Sequence, residues 1–507
     1  MRLRNKFLLF SIGFITLSTA CISSVSALPL GLISQQISIQ NLPELNFDTL
    51  GIQTNIPTDI WQHADHDTVQ SLINDITKKP LTPAIYHLLV QLMLTDCGDN
   101  QKLPFDFRIN TLMKLGAWED VLTLIHLVPE HKQTPHLLST KVQALLLLNR
   151  PQEACSLLEK KPSLAQFADE LRLTCAIMLK DKIGADLIFS THKETGDLDN
   201  TTIALWENLA SKKTILPNTD FQLKHLPLVA QFPLTDQQKS NLNLADKRAL
   251  VFLSDTITQT TLELAEKAFV APTYLGNLYQ KLPDNQKHKR ATLYKKMLAE
   301  ENQVLLATHI NTYLDSAQKD GLFLHLAPIS IPFLDKISPT EKMVDTAFLA
   351  IQAYALSQNT AAAHAWFNLL NNSSAEHHKV QALLLAPLLQ QMGAGIPKDI
   401  ATALNECLIH PSQRCASFLS KITIDMPVST PKTALTPQKL ATYTYTPAAG
   451  SALKGLLKNK KRAEALLYAI HALQKTTTFE PHIIDVLKQI TPHSLTHTII
   501  MEQYVYQ

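Results

Sequence analysis

Glycine is scarce in this chain, at 13 of 507 residues. Proteins built on tight β-hairpins or phosphate-cradling loops use far more, because only glycine takes a positive φ without steric cost. A helical protein needs glycine only where helices end. Cysteine is scarce as well, with six residues, which excludes a disulfide framework as the source of the fold. Charged residues make up 18% and the formal net charge is +2, so no long-range field draws in nucleic acid or an anionic membrane. Catalytic signatures are missing too: there is no Gly-x-Ser-x-Gly, no His-Glu-x-x-His, no Gly-x-x-x-x-Gly-Lys and no Cys-x-x-Cys. Beyond the first residues, no apolar run approaches the ~20 residues of a membrane helix; the densest, Val142–Leu148, is core-sized.

What the chain does contain is a recurring break. Leu115-Gly116-Ala117-Trp118, Leu148-Asn149-Arg150-Pro151 and Leu179-Lys180-Asp181-Lys182 each follow a leucine-ended helical pattern and precede a second one, with the anchoring leucines 33 and 31 positions apart. That period predicts an all-α fold, a helix-hairpin solenoid in which each pair exposes aliphatics that one hairpin cannot cover. Burying each such side chain contributes about 1.5–3 kcal/mol, so a stack is required.

Residues 1–27 read as a signal peptide: Arg2, Arg4 and Lys6, then the apolar run Phe7–Leu17, then Val25-Ser26-Ala27 before the expected cut. Ser18-Thr19-Ala20-Cys21 offers a second reading, a lipid anchor at Cys21. Cleavage leaves 43 basic against 44 acidic side chains and five cysteines. The expected location is the periplasm. In that oxidising setting, Cys155 and Cys175 on consecutive helices, and Cys407 and Cys415 around His410-Pro411, are either local disulfides or buried thiols.

The predicted organisation runs on from there. Residues 28–58 form an irregular N-terminal arm, 59–213 a first helical-repeat region, 214–246 an irregular connection and 247–424 a second helical-repeat region. A Thr/Pro-rich linker occupies 425–447, with a C-terminal repeat and cap over 448–507. Within the second region Phe323–Ile337, with Pro328 and Pro332, reads as a connection, and Pro387 is expected to kink or end its helix.

No catalytic, cofactor-binding or metal site emerges. His63, His66, Asp65 and Asp67 could share a helix face around a metal, but helix-capping aspartates are the simpler account. His377 and His378, being adjacent, are expected to point apart. Gly393-Ala394-Gly395-Ile396 follows a helix and reads as its C-terminal turn. Two basic runs, Lys458/Lys460/Lys461/Arg462 and Lys287/His288/Lys289/Arg290/Lys295/Lys296, read as solvated faces. Of Trp61, Trp118, Trp206 and Trp366, Trp118 and Trp366 are placed at the start of second helices as packing residues.

Residues Pro57 to Leu209 resemble a group of uncharacterised exported helical-repeat proteins of Gram-negative bacteria. The likeness spans about a third of the chain, and the matching stretches within it are Ile60-Trp61, Pro80–Leu94 and Phe105–Val128. Some members carry an "antifreeze polyprotein" label; the flat threonine arrays of ice binding are not seen here. The break pattern is also similar to tetratricopeptide repeats. Together these readings imply an exported scaffold that binds a protein or cell-envelope partner, with no nucleic acid partner, no transmembrane segment in the mature chain and no catalysis of its own. The alternative is a cell-wall-associated enzyme or accessory subunit, like the superhelix of lytic transglycosylases. Such an enzyme needs a Glu-Ser pair, which this chain lacks.

Overall fold

In the computed structural model, which describes residues 47–52, 54, 56–97, 103–161, 168–196, 198–213, 221–393, 395, 397, 400–402, 447–474, 481–491 and 499, the three sequence breaks are copies of one backbone device. Gly116, Asn149 and Lys180 each adopt a left-handed conformation, with φ of 72°, 57° and 62°. Around each, two hydrogen bonds close the preceding helix. The amide of Ala117 donates to Leu112 O and that of Gly116 to Met113 O; Arg150 donates to Leu145 O and Asn149 to Leu146 O; Asp181 donates to Ala176 O and Lys180 to Ile177 O. This Schellman closure satisfies orphan carbonyls and reverses the chain at once, so the next helix starts within three or four residues. The same pattern recurs at Lys212, Gly321, Gln358 and Lys460.

Among the described residues the structure is helical and has no strand; a single parallel bridge joins Ile52 and Thr95. The α-helices are α1 (His66–Thr77), α2 (Pro83–Leu94), α3 (Phe105–Leu115), α4 (Trp118–His126), α5 (Pro135–Leu147), α6 (Pro151–Lys160), α7 (Ala168–Met178), α8 (Lys182–Thr195), α9 (Asn200–Ala210), α10 (Leu226–Val229), α11 (Asp236–Asn241) and α12 (Leu244–Leu253). They continue with α13 (Gln259–Lys267), α14 (Pro272–Lys281), α15 (Lys289–Ala299), α16 (Gln303–Lys319), α17 (Phe323–Leu334), α18 (Val344–Leu356), α19 (Thr360–Asn371), α20 (Glu376–Gln391), α21 (Pro447–Lys458), α22 (Arg462–Leu473) and α23 (Pro481–Ile490). Proline opens α2, α5, α6 and α14 at N1, where its missing N–H costs nothing. No helix among the described residues is long and apolar enough to cross a membrane.

Two large cores result. One joins Ile56 to Cys175 with Leu226, Ala245, Ala249 and Leu253, and with Leu453 to Ile499. The other runs from Leu205 to Ile400. Their membership shows where the chain folds back. Helix α12 packs on α3 and α5, and α22 packs on α1 some four hundred residues earlier. At that junction Arg462 Nη1 donates to both carboxylate oxygens of Asp59, at 2.8 and 2.6 Å. Buried Glu464 accepts the Asp65 amide at 2.8 Å and the Lys461 ammonium at 3.0 Å. The sequence reads 448–507 as a C-terminal repeat and cap; in the structure α22 covers the apolar side of α1, which carries Val69, Leu72, Ile73 and Ile76.

Several expectations are revised. Phe323–Ile337 is not a connection: α17 runs through Pro328 and Pro332. An internal proline costs about 3 kcal/mol. Here it is offset by burial of Phe323, Leu324, Leu326, Ala327, Ile329, Phe333 and Leu334, each contributing of order 1–3 kcal/mol. Helix α20 likewise passes Pro387 and ends at Gln391, with Gly393 left-handed just beyond. The described part of 214–246 carries a 3-10 turn, α10, α11 and the start of α12. Trp366 lies in the middle of α19, and all four tryptophans are buried. The described end of the N-terminal arm docks on the α2–α3 connection. Gly51 passes so close to Thr95-Asp96 that a Cβ would lie 2.4 Å from the Asp96 nitrogen. Cys155 and Cys175 form a disulfide with Cα atoms 5.7 Å apart, tying α6 to α7 across a separation of 20 residues. Cys97 is a free, buried thiol that burial pushes up to about 11. Residues 1–27, expected to be a signal peptide, with Cys21, and Cys407, Cys415, His410-Pro411, the expected linker before Pro447 and Leu495 lie outside the described residues, as do positions 500–507.

Two predictions follow from these contacts. Lysine at a left-handed position carries a steric cost that glycine does not, so Lys460→Gly raises stability by about 0.5–1 kcal/mol. Gly116→Ala lowers it by about 2–3 kcal/mol, because φ is positive there and a Cβ would sit 2.9 Å from the Ala245 Cα. Urea denaturation of the two variants checks the contrast. The second prediction concerns His325, which is buried against Phe269. Burial, reinforced by His87 and Arg248, pushes its imidazole down to about 3. Unfolded histidine titrates near ~6.5. The neutral buried ring therefore costs no protonation-linked stability above that pH and progressively more as pH falls toward about 3. Replacing it by leucine should leave stability at pH 7.5 within ~1 kcal/mol and raise it by about 2–3 kcal/mol at pH 4.5, measured by melting at both pH values.

Candidate functional site: a lysine-lined pocket

Every hairpin end leaves carbonyls pointing outward, and where such an end is covered by another helix those carbonyls need donors. Arg248 of α12 supplies them at the junction of the two cores. Its Nε donates to Gly116 O at 2.8 Å, and Nη1 donates to Ala268 O at 3.0 Å and Phe269 O at 2.8 Å. The guanidinium lies 5.3 Å from the Tyr86 ring centroid and 6.0 Å from that of Phe252. Phe269, with φ of 50°, is a non-glycine residue in the left-handed region, and Arg248 binds its carbonyl there. Arg108 plays the same part within the first core: fully buried, it donates to Met93 O, Thr95 O and Leu50 O.

Beside Arg248 the fold-back of α12 encloses a pocket of about 810 Å³. Its walls are the end of α1 with the turn after it, the end of α3, the chain from Phe221 to Leu223, the start of α12 and the end of α13. Lys78, Lys79, Lys114, Lys247 and Lys267 line it, against one lining carboxylate, Asp246. Lys78 pairs with Asp75 at 3.1 Å. The other four lysines make no ion pair among the described residues. Asp246 closes a capping box with Asn243, and burial raises its carboxyl above the usual range.

Lysines gather at helix ends for a structural reason, since a cation offsets the negative end of the macrodipole. Lys78, Lys114 and Lys267 fit that account at the ends of α1, α3 and α13. Lys247 does not. It sits in the first turn of α12, at the positive end of that helix, where a lysine is unfavourable. Burial lowers its pKa, and the Lys267 ammonium lowers it further. Two like charges are thus turned toward one cavity, with Asp246 the one lining carboxylate beside Lys247, and this net positive lining favours an anion. A second cavity, of about 750 Å³, lies between α1 and the pair α21–α22. It has an apolar floor of Leu72, Leu453, Leu456 and Ala472 and an acidic rim of Asp67 and Asp75.

The residues singled out in the sequence fall elsewhere. Helix α1 starts at His66 with Asp65 as its N-cap, accepting the Thr68 amide at 3.0 Å, and exposed His63 lies in the preceding turn, off the helix. The capping account holds at Asp65, and His63 shares no helix face with His66 and Asp67 because the cap sets the start after it. Neither basic run is simply a solvated face. Lys461 and Arg462 are spent on Glu464 and Asp59. In the other run, buried Arg290 pairs with Glu266 and Asp320, Lys295 with Asp284, and His288 caps α15. His377 and His378 do not point apart: in the first turn of α20 their rings lie 3.9 Å apart, centroid to centroid. The pocket lysines come from four separate stretches of sequence, and no local signal marks them.

Arg248→Met keeps the aliphatic stem but strips two helix ends of their donors. It should cost about 2–4 kcal/mol in urea unfolding, against less than ~0.5 kcal/mol for exposed Lys114→Met. No family model, curated protein or solved structure matches this chain.

Proposed function

We propose that this chain is an exported, non-catalytic scaffold, its hairpins stacked in the manner of tetratricopeptide-like superhelices, and that it binds a partner whose anionic group seats in the lysine-lined pocket. The stacking is supported by packing between alternate helices, as between α16 and α18 or α18 and α20, in addition to that within hairpins. The partner's chemistry is carboxylate or phosphate, carried on a protein segment or an envelope polymer. The observation that carries the reading is the Lys247–Lys267 pair, held on one cavity at a cost to the ligand-free fold. Lysine is a point charge with rotatable donors, suited to phosphate or carboxylate in several orientations. A cavity of this size, open to solvent and lined from five stretches of chain, takes a group presented by a larger molecule.

The test uses inorganic polyphosphate and poly-glutamate as probes, with binding to the full chain followed by fluorescence anisotropy across a salt series. Lys247→Glu with Lys267→Glu should weaken binding by at least about 10-fold and flatten the dependence of log K on log salt by roughly two charges' worth. Lys267→Gln alone should weaken binding while leaving the fold as stable or up to ~0.5 kcal/mol more stable, because it removes a repulsion. Equal probe affinity in wild type and the double variant would refute the reading.

A further inference from the structure

The cluster at the joined starts of α18 and α20 has no structural task that accounts for its composition. Among the described residues, Asp345, His377 and His378 are the group of three whose potential metal-ligating atoms all lie within 4.8 Å of one another. The first turn of α18 supplies Asp345 and that of α20 supplies both histidines; α18 and α20 pack side by side, so the two first turns meet. We propose that Asp345, His377 and His378 form a binding site for a divalent transition-metal ion of the zinc class.

The geometry supports this at three points. His378 Nε2 lies 3.2 Å from Asp345 Oδ1. That matches the edge of a tetrahedron drawn around a zinc ion with bonds of ~2.0–2.1 Å, which is about 3.3 Å. His378 is only 5% exposed, and its other nitrogen, Nδ1, is hydrogen-bonded to Ser373 Oγ at 2.8 Å. A ring held through Nδ1 with Nε2 turned outward is the usual presentation of a metal-binding histidine, in which the second contact sets tautomer and orientation. Finally, the imidazoles of His377 and His378 face each other at 3.9 Å. Two imidazoles beside a carboxylate make a donor set suited to a borderline divalent ion.

One effect opposes the site. A cation at two helix N-termini meets the positive ends of both macrodipoles, at a cost of roughly 0.3–1 kcal/mol each. Asp345 stands in the first turn of α18 and Glu376 in that of α20, so two carboxylates offset this charge. Because Asp345 and His377 are exposed, the fourth coordination position opens to solvent, where water or a donor atom of a bound partner completes it.

The test is a titration of the metal-stripped full chain with Co2+, followed by visible d–d absorption, with Zn2+ added afterwards to displace it. The expected result is a tetrahedral cobalt spectrum saturating at one equivalent and abolished by Zn2+. His377→Ala and Asp345→Asn change exposed side chains, so both should fold as wild type by circular dichroism while losing Co2+ affinity by at least about 10-fold. Ser373→Ala should lose affinity by a smaller factor while keeping the spectrum. If one-equivalent binding is absent, or if its spectrum and affinity survive both His377→Ala and Asp345→Asn, the assignment fails and the cluster is a hydrogen-bonded junction only.

Discussion

The bonds from Arg248 to the carbonyls of Gly116, Ala268 and Phe269 hold the two cores in register. A protein made of short helices multiplies helix ends, and each end brings carbonyls that must find donors when other helices cover them. The Schellman closures answer this locally. Where a hairpin end is itself packed against another helix, the local device is incomplete and a side chain must reach in. Arginine does so best, because its planar donors can serve two ends at once and its charge is favourable at the negative pole of each. Arg108 and Arg248 are two such cases, and neither makes an ion pair with a carboxylate among the described residues. Glycine at position 116 is required for the same junction twice over: its left-handed φ closes α3, and its missing side chain lets α12 approach.

The candidate pocket is a consequence of that junction. Converging helix ends attract lysines for dipolar reasons, and Lys78, Lys114 and Lys267 are in keeping with this. Lys247 breaks the pattern because it stands at the wrong pole of its helix. Natural folds keep such locally unfavourable choices mainly where a ligand benefits from them. The buried Glu266–Arg290 pair offers a contrast: there the charges are matched and Tyr279 adds a hydrogen bond at 2.6 Å.

The break at Leu115-Gly116 and its relatives were legible because a Schellman closure is a local event. Leucine before the break and glycine or a polar residue in it report the same few dihedral angles each time. That an aspartate caps α1 was legible for a similar reason, though not that it is Asp65. Cys155 and Cys175 were legible as a conceivable pair, with the choice between disulfide and buried thiols left to the folded geometry. Phe323–Leu334 was misread because a local rule about proline met a burial gain that only the folded neighbours provide. The close approach of the His377 and His378 rings was misread because the helix-wheel argument holds inside a helix and weakens in its first turn.

The sequence by itself determined the helical character, the hairpin closures and the faces that must be covered, all set by interactions within about ten residues. Only the tertiary structure decided that α22 covers α1 and that α12 returns to α3, and so that Lys79, Lys114, Lys247 and Lys267 face one cavity. The physical reason is that an apolar helix face specifies burial and not the identity of what buries it. The partner is selected by shape and by the donors available at each covered helix end, and those come from residues far apart along the chain.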